Sequence, residues 1–194
     1  EDVTRATPLR RLSCQTLGFT KQFTDMRITL LVALFGFCLA GQAQTISERA
    51  NKGDLVFMED EEPAMQKAFA KAAESLDEFL ALAKAASPAH SSFSMKVAIS
   101  QGKKTEYFWV NKFVEVSPGT FEGEIGNEPR MVKTVQFGQR YVFPRSRVVD
   151  WTYLDRANRR MVGNYTLCAL LTKESKAEAE AMKKRFNLDC AWLQ

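Results

Sequence analysis

The spacing of apolar residues changes repeatedly along this chain, and each change marks a new element. Ile28 to Ala40 (ITLLVALFGFCLA) is a continuous apolar run of 13 residues. That is too short to cross about 30 Å of hydrocarbon as a helix, which takes roughly 20 residues. From Ala64 to Ala86 the apolar positions Met65, Phe69, Ala72, Leu76, Phe79, Leu80 and Ala83 recur at intervals of three and four. Lys67, Lys71, Glu74, Asp77, Glu78 and Lys84 take much of the remaining surface, so the stretch predicts one amphipathic helix laid on a core. Glu59-Asp60-Glu61-Glu62 directly before Pro63 marks its start. Acids complement the positive end of the helix dipole, and proline suits the first turn. Ser87-Pro88 stops it.

From Phe93 the period shortens to two. Phe93, Met95, Val97 and Ile99 alternate with Ser94, Lys96, Ala98 and Ser100. Further short segments follow at Glu106 to Val116, Thr120 to Ile125, Val132 to Phe137, Arg140 to Phe143 and Val148 to Tyr153. Gln101 to Lys104, Pro118-Gly119, Gly126 to Pro129 and Gly138 supply the turns between them. Short strands at hairpin spacing predict a strongly bent antiparallel sheet of about five strands, small-barrel-like. After Gly163-Asn164 the period lengthens again, and Thr166 caps a turn that gathers Leu167, Leu170 and Leu171. Ser175 and Glu178 then form a capping box for a last helix, Lys176 to Phe186. Helix, sheet, helix is the order of one α+β domain, its sheet packed with an N-terminal and a C-terminal helix.

The apolar run at 28–40 changes the picture of the N-terminal region. Met26-Arg27 gives it a positive start, and Gly41-Gln42-Ala43 offers small residues for cleavage before Gln44. That three-part build is a secretory signal. The expected organisation is a disordered upstream extension at 1–25, a signal peptide at 26–43, a flexible lead-in at 44–62 and the domain at 63–194. The competing reading of 1–25 is a tail ahead of an internal anchor. On the first reading the product is periplasmic or secreted and has no membrane span after cleavage.

Charge and cysteines narrow the classes further. Residues 44–194 carry 22 Lys and Arg against 20 Asp and Glu, a balance of +2. Near-neutrality gives no electrostatic case for nucleic acid, and export makes it less apt still. Cys38 follows Phe35-Gly36-Phe37, whose bulk argues against lipoprotein cleavage, and Cys14 lies in the extension. Beyond the signal, Cys168 and Cys190 are the only two cysteines. An even pair in an oxidising compartment reads most simply as a disulfide, and the competing reading is one buried and one exposed thiol.

Six segments then come in a familiar order: Phe93 to Val97, Glu106 to Val110, Phe121-Glu122-Gly123, Asn127-Glu128-Pro129, Val149 to Tyr153 and Gly163 to Leu167. Together they resemble the bacterial YegJ-like family, domain of unknown function 2314, over roughly Glu62 to Leu188. Two positions depart from it: Gln139, where an acid is common, and Cys168, where a basic residue is common. The Cys168 departure fits a local disulfide variant and weakens any role for that basic group. The resemblance implies the fold and carries no activity with it.

Candidate chemistry is sparse. Trp109, Asn127, Glu128, Asp150, Trp151 and Tyr165 are the motif residues that form a candidate binding set. Glu128 and Asp150, with Glu106 and Asp155 nearby, are the carboxylates among them, and two acids can serve a glycan hydrolase if burial raises one. Against that, Asn127-Glu128-Pro129 is sound turn chemistry, and Asp150 before Trp151 suits a strand end. His90, the sole histidine, falls in a loop between helix and strand, reads as a surface residue and leaves no Ser-His or zinc constellation. Arg140, Arg145, Arg147, Arg156, Arg159 and Arg160 crowd one stretch among aromatics, a pattern suited to anionic glycans, lipid headgroups or an acidic protein face. No catalytic residue, metal site or cofactor is expected. The reading is an exported non-enzymatic module for a protein or another envelope component. A hydrolase using Glu128 and Asp150 is the alternative, and an assembly role the third.

Overall fold

A computed structural model describes residues 60–193. The signal at 26–43, the extension at 1–25 and the lead-in as far as 59 lie outside the described residues. Helices α1 (Pro63–Glu74) and α2 (Leu76–Ala85) come first. One continuous helix was expected here, and Ser75 divides it. Its hydroxyl donates to the Lys71 carbonyl at 2.6 Å, competing with the helical ladder, while its own backbone leaves the helical region at φ −102° and ψ 5°. Glu62, the cap residue of α1, makes no side-chain capping bond. It and Asp60 tie distant segments instead: Glu62 pairs with Lys173 at 2.7 Å, and Asp60 accepts from the Tyr107 hydroxyl.

Six strands follow: β1 (His90–Gln101), β2 (Lys104–Ser117), β3 (Thr120–Ile125), β4 (Arg140–Pro144), β5 (Val148–Asp155) and β6 (Arg160–Gly163). They form one antiparallel sheet in the order β4-β3-β2-β1-β5-β6. The sheet is open, because β4 and β6 are its two edges and do not pair. This corrects the small-barrel expectation and the count of about five. The register slips at Ser91/Ser94 and Lys96/Val97 in the β1–β5 pair, and at Asn111/Val114 in the β2–β3 pair. Ser92 and Lys112 take left-handed φ values of 57° and 48° at two of these bulges, which bend the strands.

Val132 to Phe137, expected as a strand, is an irregular loop between β3 and β4. Three of its backbone donors are taken by side chains: Glu106 accepts from Val132 at 3.0 Å, Gln101 from Lys133 at 2.8 Å and Gln139 from Gln136 at 2.9 Å. Donors so occupied have no need of a neighbouring strand. Val132 and Val135 still reach the core. β6, which has only four residues and no clear alternation, was not anticipated.

The core lies between α2, the end of α1 and one face of the sheet. Met95, Val97 and Ile99 of β1 pack there with Phe108 and Val110 of β2 and Phe79 of α2. Phe79 stacks on Trp151 at 4.9 Å, and the Trp151 indole donates to the Ala72 carbonyl at 3.1 Å. The segment after β6 is a true helix, α3 (Tyr165–Leu171), where a capped turn was expected. The last helix, α4 (Lys176–Phe186), begins as its sequence indicates, with the Ser175 hydroxyl accepting from the Glu178 N–H at 3.2 Å. Cys168 of α3 is bonded to Cys190, their Cα atoms 5.6 Å apart, and Trp192 meets the Tyr165 ring edge-on at 5.2 Å. Among the described residues no helix is long and apolar enough to cross a membrane.

Candidate functional site

The strand pleat puts alternate side chains on opposite faces. Lys96 of β1 therefore points away from Met95 and Val97. It pairs with Trp109 on β2 and with Asp150 on β5, so these three form one row across the second face. The adjacent row is polar throughout: Ser94 pairs with Asn111 and Thr152, Asn111 with Glu124, and Glu124 with Arg140. Ser94, Trp109, Asn111, Glu124 and Asn127 are all partly exposed. This face is thus a half-covered polar surface with one large indole in it.

Asp150 anchors the covered end. It is fully buried, and its carboxylate accepts from the N–H groups of Trp151 (2.8 Å), Tyr165 (3.1 Å) and Thr166 (2.8 Å). The Thr166 hydroxyl donates to the same carboxylate at 2.6 Å. Two of these N–H groups open α3, so Asp150 caps that helix from another strand. Asn164, which precedes α3 with φ 55°, makes no such side-chain bond. Thr166 in turn accepts from the Lys96 ammonium at 2.6 Å, and that ammonium sits 4.8 Å above the Trp109 ring. Burial pushes the Lys96 ammonium below the ordinary lysine range, with Asp150 opposing the change. Burial likewise raises the Asp150 carboxyl, against Lys96 and the donors of Thr166 and Trp151. Four donors occupy the four acceptor positions of this carboxylate.

At the open end Asn127 holds the loop after β3. Its side-chain oxygen accepts from the Trp109 N–H at 2.8 Å, and Gly126 N–H donates to the Trp109 carbonyl at 2.7 Å. A Cβ at Gly126 would lie 2.9 Å from that carbonyl and closer still to the Asn111 amide, so only glycine fits the approach. Glu128 is exposed on this loop.

The candidate residues thus divide into three groups. Trp109 and Asn127 are joined directly, and Glu128 follows Asn127 in its loop. Asp150 meets Trp109 only through Thr166 and Lys96, and β3, which leads into the Glu128 loop, is three strands from β5. Trp151, 4% exposed, is a core residue, and Tyr165 packs edge-on against it at 5.3 Å while its hydroxyl lies 3.3 Å from that of Ser75.

Glu106 is 5% exposed and clamps the 130–132 backbone, accepting from Arg130, Met131 and Val132. His90 opens β1 rather than lying in a surface loop. Its ring meets Tyr153 edge-on at 5.2 Å, and its Nδ1 is buried without a hydrogen-bond partner among the described residues. The arginine stretch divides: Arg140 pairs with Glu122 at 3.2 Å and Arg145 with Asp77 at 2.6 Å, while Arg156, Arg159 and Arg160 stay together at the β5–β6 turn. No cluster of metal-ligating side chains occurs among the described residues.

Neither Lys96 nor Thr166 was among the candidate site residues. In a period-two strand Lys96 reads as an ordinary outward residue, and only cross-strand register sets it against Asp150. The one local signal was Thr166 at a helix start.

A model of the family described as "Uncharacterized protein conserved in bacteria (DUF2314)" matches residues 62–190. "Uncharacterized protein YegJ" of Escherichia coli (strain K12) is 28% identical over 159 residues, 82% of this chain and 97% of that protein. No solved structure matches.

Proposed function

The chain belongs to the DUF2314 family, and from that premise we propose that it is an exported, non-enzymatic module binding a protein or another component of the cell envelope. One observation carries this reading: the polar face offers a partly exposed Trp109 whose backbone is held by Asn127, while the buried acids are already occupied by the chain's own donors. An indole fixed by backbone bonds at its base suits recognition. Acid–base work asks for a carboxyl free to exchange a proton with substrate. Hydrolysis through Glu128 and Asp150 would require Asp150 to give up bonds that cap α3. The secretory pattern at 26–43 supplies the destination.

The test is crosslinking in intact envelopes followed by capture, with the mass of the mature N terminus measured in the same sample. A discrete partner held by the wild type and lost with Trp109→Ala or Asn127→Ala is the expected result. Recovery of nothing, or equal recovery by both variants, would overturn it.

A further inference from the structure

Two basic segments that are separate in the sequence meet at one tip of the domain. The β5–β6 turn brings Arg156, Arg159 and Arg160, and the last turn of α4 brings Lys183, Lys184 and Arg185. Asn187, which ends α4 in the left-handed conformation, donates from its side chain to the Asn158 carbonyl at 3.2 Å. That bond fixes the hairpin tip against the helix end.

Of the six cations, only Lys183 has an ion pair among the described residues, to Glu180 at 3.0 Å. Asp155 and Asp189 are the other carboxylates of these segments, fixed by neutral donors: Asp155 accepts from the Asn158 side chain at 2.7 Å and Asp189 from the Ala191 N–H at 3.0 Å, so the six cations outnumber the three acids Asp155, Glu180 and Asp189. Arg156, Arg159, Lys184 and Arg185 are exposed, and Leu154, 38% exposed, precedes them on β5. Among the described residues no hydrogen bond or ion pair holds the side chains of Arg156, Arg159 or Lys184 in one geometry. Partners read by matched geometry need preorganised donors. Exposed cations not held in this way, with an exposed leucine near them in the sequence, suit instead a diffuse field of phosphates, where reach counts more than direction.

We infer that this tip docks on a membrane surface of anionic phospholipid headgroups. The inference deepens the envelope-binding reading and rests on it for access to such a surface, but it uses residues remote from Trp109. His90 pairs with Asp155 at the start of β1, so the tip lies at that end of the strand, and the Lys103-Lys104 turn lies at the other.

The experiment is co-sedimentation of the processed protein with phosphatidylcholine vesicles that contain or lack phosphatidylglycerol. Binding to the anionic vesicles alone, weakened by salt, is expected. The triple variant Arg156→Gln, Arg159→Gln, Lys184→Gln should lower partitioning about 100-fold at low salt, from the usual contribution of each cation near such a surface. Asn187→Ala, which leaves the charge unchanged, should lower it severalfold, and Lys103→Gln with Lys104→Gln should leave it as it was. Equal binding to both vesicle types, an undiminished triple variant, or an equal loss in the far-end variant would overturn the inference. So would binding to polyglutamate without binding to vesicles. Should vesicles fail while Trp109-dependent capture persists, this inference falls and the envelope-binding reading stands.

Discussion

Glu106 and Asp150 solve the same problem in different ways. Both are buried carboxylates turned toward backbone N–H groups that lack a strand or helix partner. Glu106 takes three successive N–H groups of an irregular loop at 2.9 to 3.1 Å. Asp150 takes the first two N–H groups of α3 and one from its own strand, then adds the Thr166 hydroxyl and, beyond it, the Lys96 ammonium. Glu106 retains 5% exposure and Asp150 none. An ion withdrawn fully from water needs compensation that dipoles alone supply less completely. The lysine therefore stands at the drier of the two sites, and it shares that site with the one half-exposed indole of the polar face.

The largest effect separates the two. Asp150→Ala leaves the N–H groups of Tyr165 and Thr166 without an acceptor and Lys96 without its counter-charge, and should cost about 3–5 kcal/mol. Glu106→Ala orphans N–H groups in a loop nearer to water, and should cost about 1–3 kcal/mol. Urea unfolding of both variants checks the order, and a reversed order would mean that full burial does not set the cost of losing the carboxylate.

Next in size is the tether on α3. Replacing Cys168 and Cys190 together by serine opens a loop with a sequence separation of 22 and should cost about 3 kcal/mol on the chain-entropy estimate. If Asp150 alone places α3, the Thr166 bonds survive that change. Hydrogen exchange at the Tyr165 and Thr166 amides would then stay slow relative to α4.

What the sequence conveyed divides along the same line. Met95, Val97 and Ile99 announced β1 because burial on one face leaves a period-two trace, and the Ser175–Glu178 pair announced α4 because its cap is local. The α1–α2 break was hidden because a serine within a helical pattern is ordinary until its hydroxyl finds the Lys71 carbonyl. The 130–139 loop imitated a strand because Val132 and Val135 are buried, although Glu106, about 25 positions earlier, holds the backbone. The Lys96–Thr166–Asp150 link joins residues 70 and 16 positions apart, and no spacing rule reaches that far. Trp109 and Asn127 could be named as candidates from the sequence, but their partnership required the register of β2.

The smallest effect is also the sharpest test. Lys96→Met keeps an unbranched stem beside Trp109 and removes the cation, so Asp150 is left with dipoles and a hydroxyl, much as Glu106 is. If neutral donors suffice, the loss is about 1 kcal/mol, and a cycle with Thr166→Val gives a coupling of similar size. The pH dependence has a defined sign. A lysine whose folded-state value lies below its unfolded value of 10.5 binds fewer protons in the folded state between the two. Folding is then favoured more as pH rises through that window, and the gain is complete above the unfolded value. The wild type should therefore gain stability relative to Lys96→Met on the alkaline side, measured as the difference between their urea midpoints across pH. A difference that stays flat would mean that the ammonium is as well accommodated in the fold as in water, and the distinction between the two carboxylate sites would then rest on the helix alone.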